Sequence, residues 1–209
     1  MSRARLNASL RLWRRRLAYR QRRLKVSIRH HRPNSAKRWR RLVDEAHRKV
    51  SRRELQLGAM QPLRLRALSH ARALVGVMEI GGNNAGKKVT AIIRANGGSG
   101  PEPWCGDFQA YVYRAAGSRA VTRAWASVAM LGGLFGIRRT SKPLAGDLVR
   151  FTFDHVGMFV KDNGDGTITT IEGNTGASGA VSDSSTGGDG VYEKRRAKSL
   201  VRDYLRVTR

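Results

Sequence analysis

The sequence predicts an α+β fold preceded by a basic helical hairpin. Three observations carry that expectation. Apolar residues recur at helical spacing through the first part of the chain, strand-like runs follow Lys142-Pro143, and most of the positive charge sits in the first third of the 209 residues. Residues 1–72 hold 23 Lys+Arg against 3 Asp+Glu, whereas residues 73–209 hold 18 against 12. That asymmetry divides the chain into an Arg-rich helical segment, 1–60, and a near-ordinary globular domain, 61–209.

Each element has its own signal. Leu6, Leu10, Trp13 and Leu17 form one helical stripe among arginines. The stripe stops at His31-Arg32-Pro33, because proline disfavours helix at the residue before it. Asn34 or Ser35 can cap a second helix, striped by Trp39, Leu42, Val43, Ala46 and Val50. Gly58 and Gln61-Pro62 mark the boundary. A third helix is expected from Leu65 to Glu79, ending at Gly81-Gly82 and an Asn-rich loop. A fourth starts near Cys105 and runs to Ala116, and a shorter one covers Val121 to Met130. Strands are expected at 147–153, 155–160 and 167–172, then in GVYEKRR and SLVRDYLRV, with turns at 162–166 and in the Gly/Ser-rich stretch 173–190.

Composition excludes several classes. One cysteine rules out an internal disulfide framework. Arginines interrupt every apolar cluster before residue 70, so no secretory signal peptide is expected. SVAMLGGLFGI at 127–137 is too short and too glycine-rich to span a bilayer.

The globular domain past the third helix holds one cysteine, Cys105, and one histidine, His155. If Cys105 is a nucleophile, its base is therefore almost forced. A free thiol ionises near pH ~8.5, and a helix N-terminus or a neighbouring imidazolium favours the thiolate. Cys105 follows Pro103 at such a terminus, where the same N–H groups can bind an oxyanion. A third group should orient His155. A two-residue turn at Asn163-Gly164 would set His155 opposite Glu172, and a longer loop centred one position later would set Asn174 opposite it. Glu172 is the expected orienting residue, with Asn174 bonding near the thiol or the oxyanion, and Trp104 is assigned to substrate binding. One Cys and one His are too few for a zinc site, and DNGDG at 162–166 lacks the downstream Glu of an EF-hand, so it reads as a turn. No metal or cofactor is expected.

These residues resemble a known family. VGVMEIGGNNAGKKV at 75–89, PWCGDFQAYVYRAAG at 103–117, AGDLVRFTFDHVGMFV at 145–160 and ITTIEGNTG at 168–176 are similar to the segments of a CHAP domain, a cysteine- and histidine-dependent amidohydrolase/peptidase. The resemblance covers about Ala67 to Val207 and leaves out residues 1–60. It implies a papain-like α+β fold with Cys105 as nucleophile, His155 as base, and Glu172 and Asn174 as polar partners. Gly106-Asp107 departs from the family, where small and then apolar residues are common.

The implied activity is bacteriolytic hydrolysis of peptidoglycan, as N-acetylmuramoyl-L-alanine amidase or peptide-stem endopeptidase, by a monomer. Residues 1–60 are expected to bind anionic wall polymers or a membrane surface. Such a protein looks like a phage endolysin made in the host cytoplasm and released through a holin, or carried on the virion. The alternative is a basic nucleic-acid-binding or virion structural protein with an inactive domain.

Overall fold

The computed structural model describes residues 2–177 and 188–209; part of the Gly/Ser-rich turn stretch expected at 173–190 lies outside the described residues. The chain separates into two compact units, residues 1–61 and 62–209.

The first unit is an antiparallel pair of helices, α1 (Arg3–Arg29) and α2 (Pro33–Ala59). Ser2 caps α1, its hydroxyl accepting from the Arg5 N–H, and Pro33 opens α2, where a missing N–H costs nothing. His31 takes φ 49° between them. Leu6, Leu10 and Ser27 meet Ala36, Val43, Ala46 and Val50 in the seam. The guanidinium groups of Arg16, Arg20 and Arg53 lie 4.9, 5.7 and 5.8 Å from the Trp13 ring, and Arg23 lies 5.6 Å from Trp39. Arg20 also donates to the Leu42 carbonyl at 2.7 Å and to Glu45 at 3.2 Å. The tryptophans thus serve as faces for the hairpin's own cations, which lets so basic a pair pack.

In the second unit, α3 (Leu63–Arg72), α4 (Lys87–Ala95) and α5 (Cys105–Ala115) precede an antiparallel sheet. Its strands are β1 (Ile137–Thr140), β2 (Leu148–Phe151), β3 (Val156–Asp162), β4 (Thr167–Thr175), β5 (Gly190–Ala197) and β6 (Val201–Val207). They lie in the order β1-β6-β2-β3-β4-β5. The α+β class is as the sequence predicts. Alternation along the strands serves two apolar clusters. Leu148, Met158 and Ile171 join the main core with Phe108, Val112 and Tyr113 of α5, while Val149, Phe159 and Ile168 join a smaller one.

Three local expectations are corrected. The third helix ends at Arg72 rather than Glu79, because Gly76 takes φ 89° and residues 76–79 bond instead to the start of β5: Gly76 N–H donates to Val191 and Glu79 N–H to Asp189. Residues 87–95, to which the sequence assigned no element, form α4, with Val89, Ile92 and Ile93 buried on one face. Val121 to Met130 holds 3-10 turns at Arg123–Ala126 and, just beyond, Leu131–Gly133 in place of an α-helix. β1 has no counterpart among the strands expected from sequence.

Candidate active site

The thiol is set by the start of α5. Trp104 takes the N-cap position without a side-chain cap, so the helix presents an uncapped positive end beside Cys105. The side chain of Trp104 is fully buried, its indole N–H donating to Glu79 at 2.8 Å and its ring edge-on to Phe108. It therefore has no ring surface to offer a substrate, and the substrate-binding assignment from sequence is corrected to an anchoring one. The other carboxylate oxygen of Glu79 accepts the Asn84 N–H at 2.7 Å, tying the Asn-rich loop to the same helix start.

Asp107, in the first turn of α5, is also fully buried. It accepts from Asn96 at 2.6 Å and from Arg123 at 3.0 Å. Burial raises its pKa against the opposing pull of Asn96 and Arg123. The acid that departs from the family pattern is thus committed to a structural cluster.

His155 precedes β3, and its Nε2 lies 3.0 Å from Glu172 Oε2. Cys105 and His155 line the same cleft, and with Nε2 turned to Glu172 the ring nitrogen left for the sulfur is Nδ1. Phe151 and Phe153 stack on the ring at 5.8 and 5.9 Å and fix its plane. Burial pulls the His155 pKa down, but Cys105 and Glu172 outweigh it and hold the group up at about 10. Burial likewise raises Glu172, and the bonds from His155 and Arg196 outweigh it, leaving the carboxyl at about 2.

The register of the β3–β4 hairpin explains why Glu172 is the partner. Met158 pairs with Ile171 and Phe159 with Thr170, whereas nearer the turn Lys161 pairs with Thr169 and Asp162 with Ile168; a bulge between Phe159 and Lys161 thus brings the strands to the offset expected of the longer loop, not of the two-residue turn. Extended, it sets Gly157 opposite Glu172 and His155 opposite Asn174. The carboxylate reaches His155 diagonally because Gly157 leaves room: a Cβ there would stand 2.9 Å from Glu172 Cγ. The Asp162 and Asp165 carboxylates of the turn pair with Lys198 and Arg195. Among the described residues no group of three or more His, Cys, Asp or Glu could hold a metal ion.

Asn174 takes φ 56° and is buried. With its amide oriented to satisfy its neighbours, its oxygen accepts the Trp104 N–H and its nitrogen donates to Asn84 and to the Gly188 carbonyl, each at 3.2 Å. It braces the cleft wall rather than bonding the imidazole. Asn83, Asn84, Pro103, Cys105, Asp154, His155 and Asn174 line a cleft of about 210 Å³.

Sequence reasoning missed Arg196. Its Nη2 donates to Glu172 Oε2 at 2.7 Å and its Nε to Oε1 at 3.1 Å, from a side chain 1 % exposed. The run EKRRA carries no local sign of this, because β5 pairs Arg196 with Ile168, four residues along β4 from Glu172.

A thiol at a helix tip in one cleft with an imidazole held by a buried carboxylate is an arrangement able to carry nucleophilic Cys–His chemistry. Residues 96–174, within the second unit, match the family model of the CHAP domain, and the match points to a peptidoglycan amidase- or peptidase-type hydrolase. No curated protein and no solved structure matches the chain.

Proposed function

We propose that the protein is a peptidoglycan hydrolase of the phage endolysin type that cleaves a wall amide through Cys105 and His155. The observation that carries this reading is the Cys105–His155–Glu172 array opening onto a cleft. The Cys105 thiolate attacks the amide carbonyl, and uncapped N–H groups of α5 face the oxyanion. His155 gives its proton to the departing amine, leaving a thioester. The same imidazole then takes a proton from water, whose oxygen attacks the acyl carbon and releases the acid and the thiol. The bond is the muramoyl–L-alanine amide or one within the peptide stem.

The hairpin of residues 1–61 concentrates the enzyme on anionic wall polymer or membrane. Its arginine-covered tryptophans favour this role over base stacking on nucleic acid. Among the described residues no helix is long and apolar enough to cross a membrane. In this reading the protein is made in a bacterial host and reaches the wall through a holin or on a virion.

Incubated with purified bacterial walls, the protein is expected to clear turbidity and release fragments with one new amine terminus per cut, identified by mass spectrometry. Replacing exposed Arg15, Arg22 and Arg29 with glutamine should weaken wall binding and its salt dependence without changing cleavage of soluble muropeptides. Intact walls with no new amine termini would refute the hydrolase reading.

Gly157 supplies a second check. In Gly157→Ala the new methyl presses on a carboxylate that Arg196 holds in place, so Glu172 and with it His155 must shift. Turnover should fall by up to about 10²-fold, since a misplaced reacting group costs that much, and the thermal transition should drop with it, because overpacking a buried site costs about 1–3 kcal/mol.

A further inference from the structure

We propose that Arg196, outside the stretch that matches the family and named by no sequence motif, is a positioning residue of the site: it keeps Glu172 ionised and aimed, and so sets the proton balance between His155 and Cys105. The inference rests on the hydrolase reading for its biological meaning, but its chemistry concerns the thiol alone.

The geometry is that of a closed clamp. Glu172 has no exposed surface, and both its oxygens are engaged: Oε1 accepts from Thr170 at 2.5 Å and from Arg196 Nε at 3.1 Å, Oε2 from His155 at 3.0 Å and from Arg196 Nη2 at 2.7 Å. Arg196 adds a 3.3 Å bond to Thr175 Oγ1. Its guanidinium lies 5.6 and 5.8 Å from the Phe151 and Phe153 rings, the same two rings that stack on His155. One aromatic pair thus fixes both the imidazole and the cation that competes with it for Glu172.

A planar fork holds a carboxylate in one orientation, which an ammonium cannot do. The charge matters as much. A buried carboxylate facing only a histidine could ionise only when that histidine is protonated, and the two would titrate as a coupled pair. With Arg196 beside it, Glu172 stays an anion whichever form His155 takes, so the proton shared by His155 and sulfur can move without discharging the carboxylate. Among the described residues, the charged and titratable groups around the cluster include Cys105 from α5, Asp154 and His155 ahead of β3, and Lys194 from β5, whose amine donates to the Gly176 carbonyl at 2.8 Å. Glu79 faces the neighbouring Trp104 indole.

Removing the Arg196 cation makes every proton on the cluster harder to lose, so thiolate forms at higher pH. Cys105 is the sole cysteine, so alkylation by iodoacetamide reads it without any assumption about substrate. In the full chain, Arg196→Gln is expected to move the pH profile of alkylation upward and leave its alkaline plateau unchanged. A midpoint raised by about one pH unit would slow the reaction about tenfold at pH ~6. Arg196→Lys keeps the charge without the fork and should fall between the two. A merely structural arginine would lower the thermal transition and leave the profile where it was, and a folded Arg196→Gln protein with the parent's profile would overturn the proposal. If that variant does not fold, the parent decides: the Glu172 carboxyl, followed by carbon NMR, should stay ionised down to pH 4, and a carboxyl titrating between pH 5 and 8 overturns the proposal. Normal alkylation with no release of wall fragments would sink the hydrolase reading and leave this one standing.

Discussion

Replacement of Cys105 by alanine is expected to lower wall hydrolysis on the order of 10⁴-fold or more, because the covalent route loses its only nucleophile and the remaining groups only bind and polarise. The fold should survive. Cys105 is a small, 5 % exposed side chain whose loss removes a single sulfur from the edge of the core, a cost of about 1 kcal/mol. The variant also makes a sharper statement about the site. Of the contacts that raise His155 against burial, the bond to Cys105 comes first and Glu172 second. Without the sulfur only the carboxylate holds the proton, so the imidazole should titrate clearly below about 10, a change that histidine NMR reads in the intact protein. Loss of lysis with an unmoved imidazole would separate the two roles and show that sulfur and ring do not share a proton. Retained lysis would remove Cys105 from the chemistry altogether.

What was legible in the sequence and what was not divides along physical lines. Cys105 and His155 stood out by scarcity, and their placement at a helix start and a strand start followed from Pro103 and from the strand-like run HVGMFV. The hairpin was legible only to within its register. A turn at Asn163-Gly164 pointed to Glu172 for a geometric reason that the structure does not use; a bulge between Phe159 and Lys161 shifts the pairing, and Glu172 reaches His155 across the gap left by Gly157. A glycine that admits a neighbour's carboxylate looks no different in sequence from one that turns the chain. α4 was hidden because its stripe of Val89, Ile92 and Ile93 is short and follows a glycine-rich loop. The stripe from Leu65 ran on into Val75 and Val77, but Gly76 donates to Val191 and the Val77 carbonyl accepts from it, and this pairing with β5 overrode the helical period. Trp104 beside the thiol looked like a substrate platform, and only packing shows that its ring faces inward. Arg196 sits among the other basic residues of β5, and its role depends on a partner four residues along the adjacent strand.

The largest stability effect is expected at Glu172. Glu172→Leu removes the carboxylate that accepts from both Nε and Nη2 of the buried Arg196 cation, and breaking a buried pair in this way costs about 3–5 kcal/mol. Glu172→Gln keeps one acceptor for the guanidinium and should cost less. The dependence on pH distinguishes this from ordinary loss of packing. Glu172 titrates at about 2 in the fold against an ordinary 4.5, so its contribution is present above pH 4.5 and disappears as pH falls through about 2. His155 titrates at about 10 against 6.5, so its contribution is complete below pH 6.5 and disappears as pH rises through about 10. Between pH 4.5 and 6.5 both are fully present, and there the gap between the parent and Glu172→Gln should be widest. Denaturant unfolding at pH 2, 5.5 and 10 tests this: the two proteins should converge at the acid end, where the parent's carboxyl takes up its proton, and should close part of the gap at the alkaline end, where His155 releases its own. A gap of constant size at all three would mean that Glu172 stabilises the sheet by shape alone, and that no proton is held between β4 and the helix that carries the thiol.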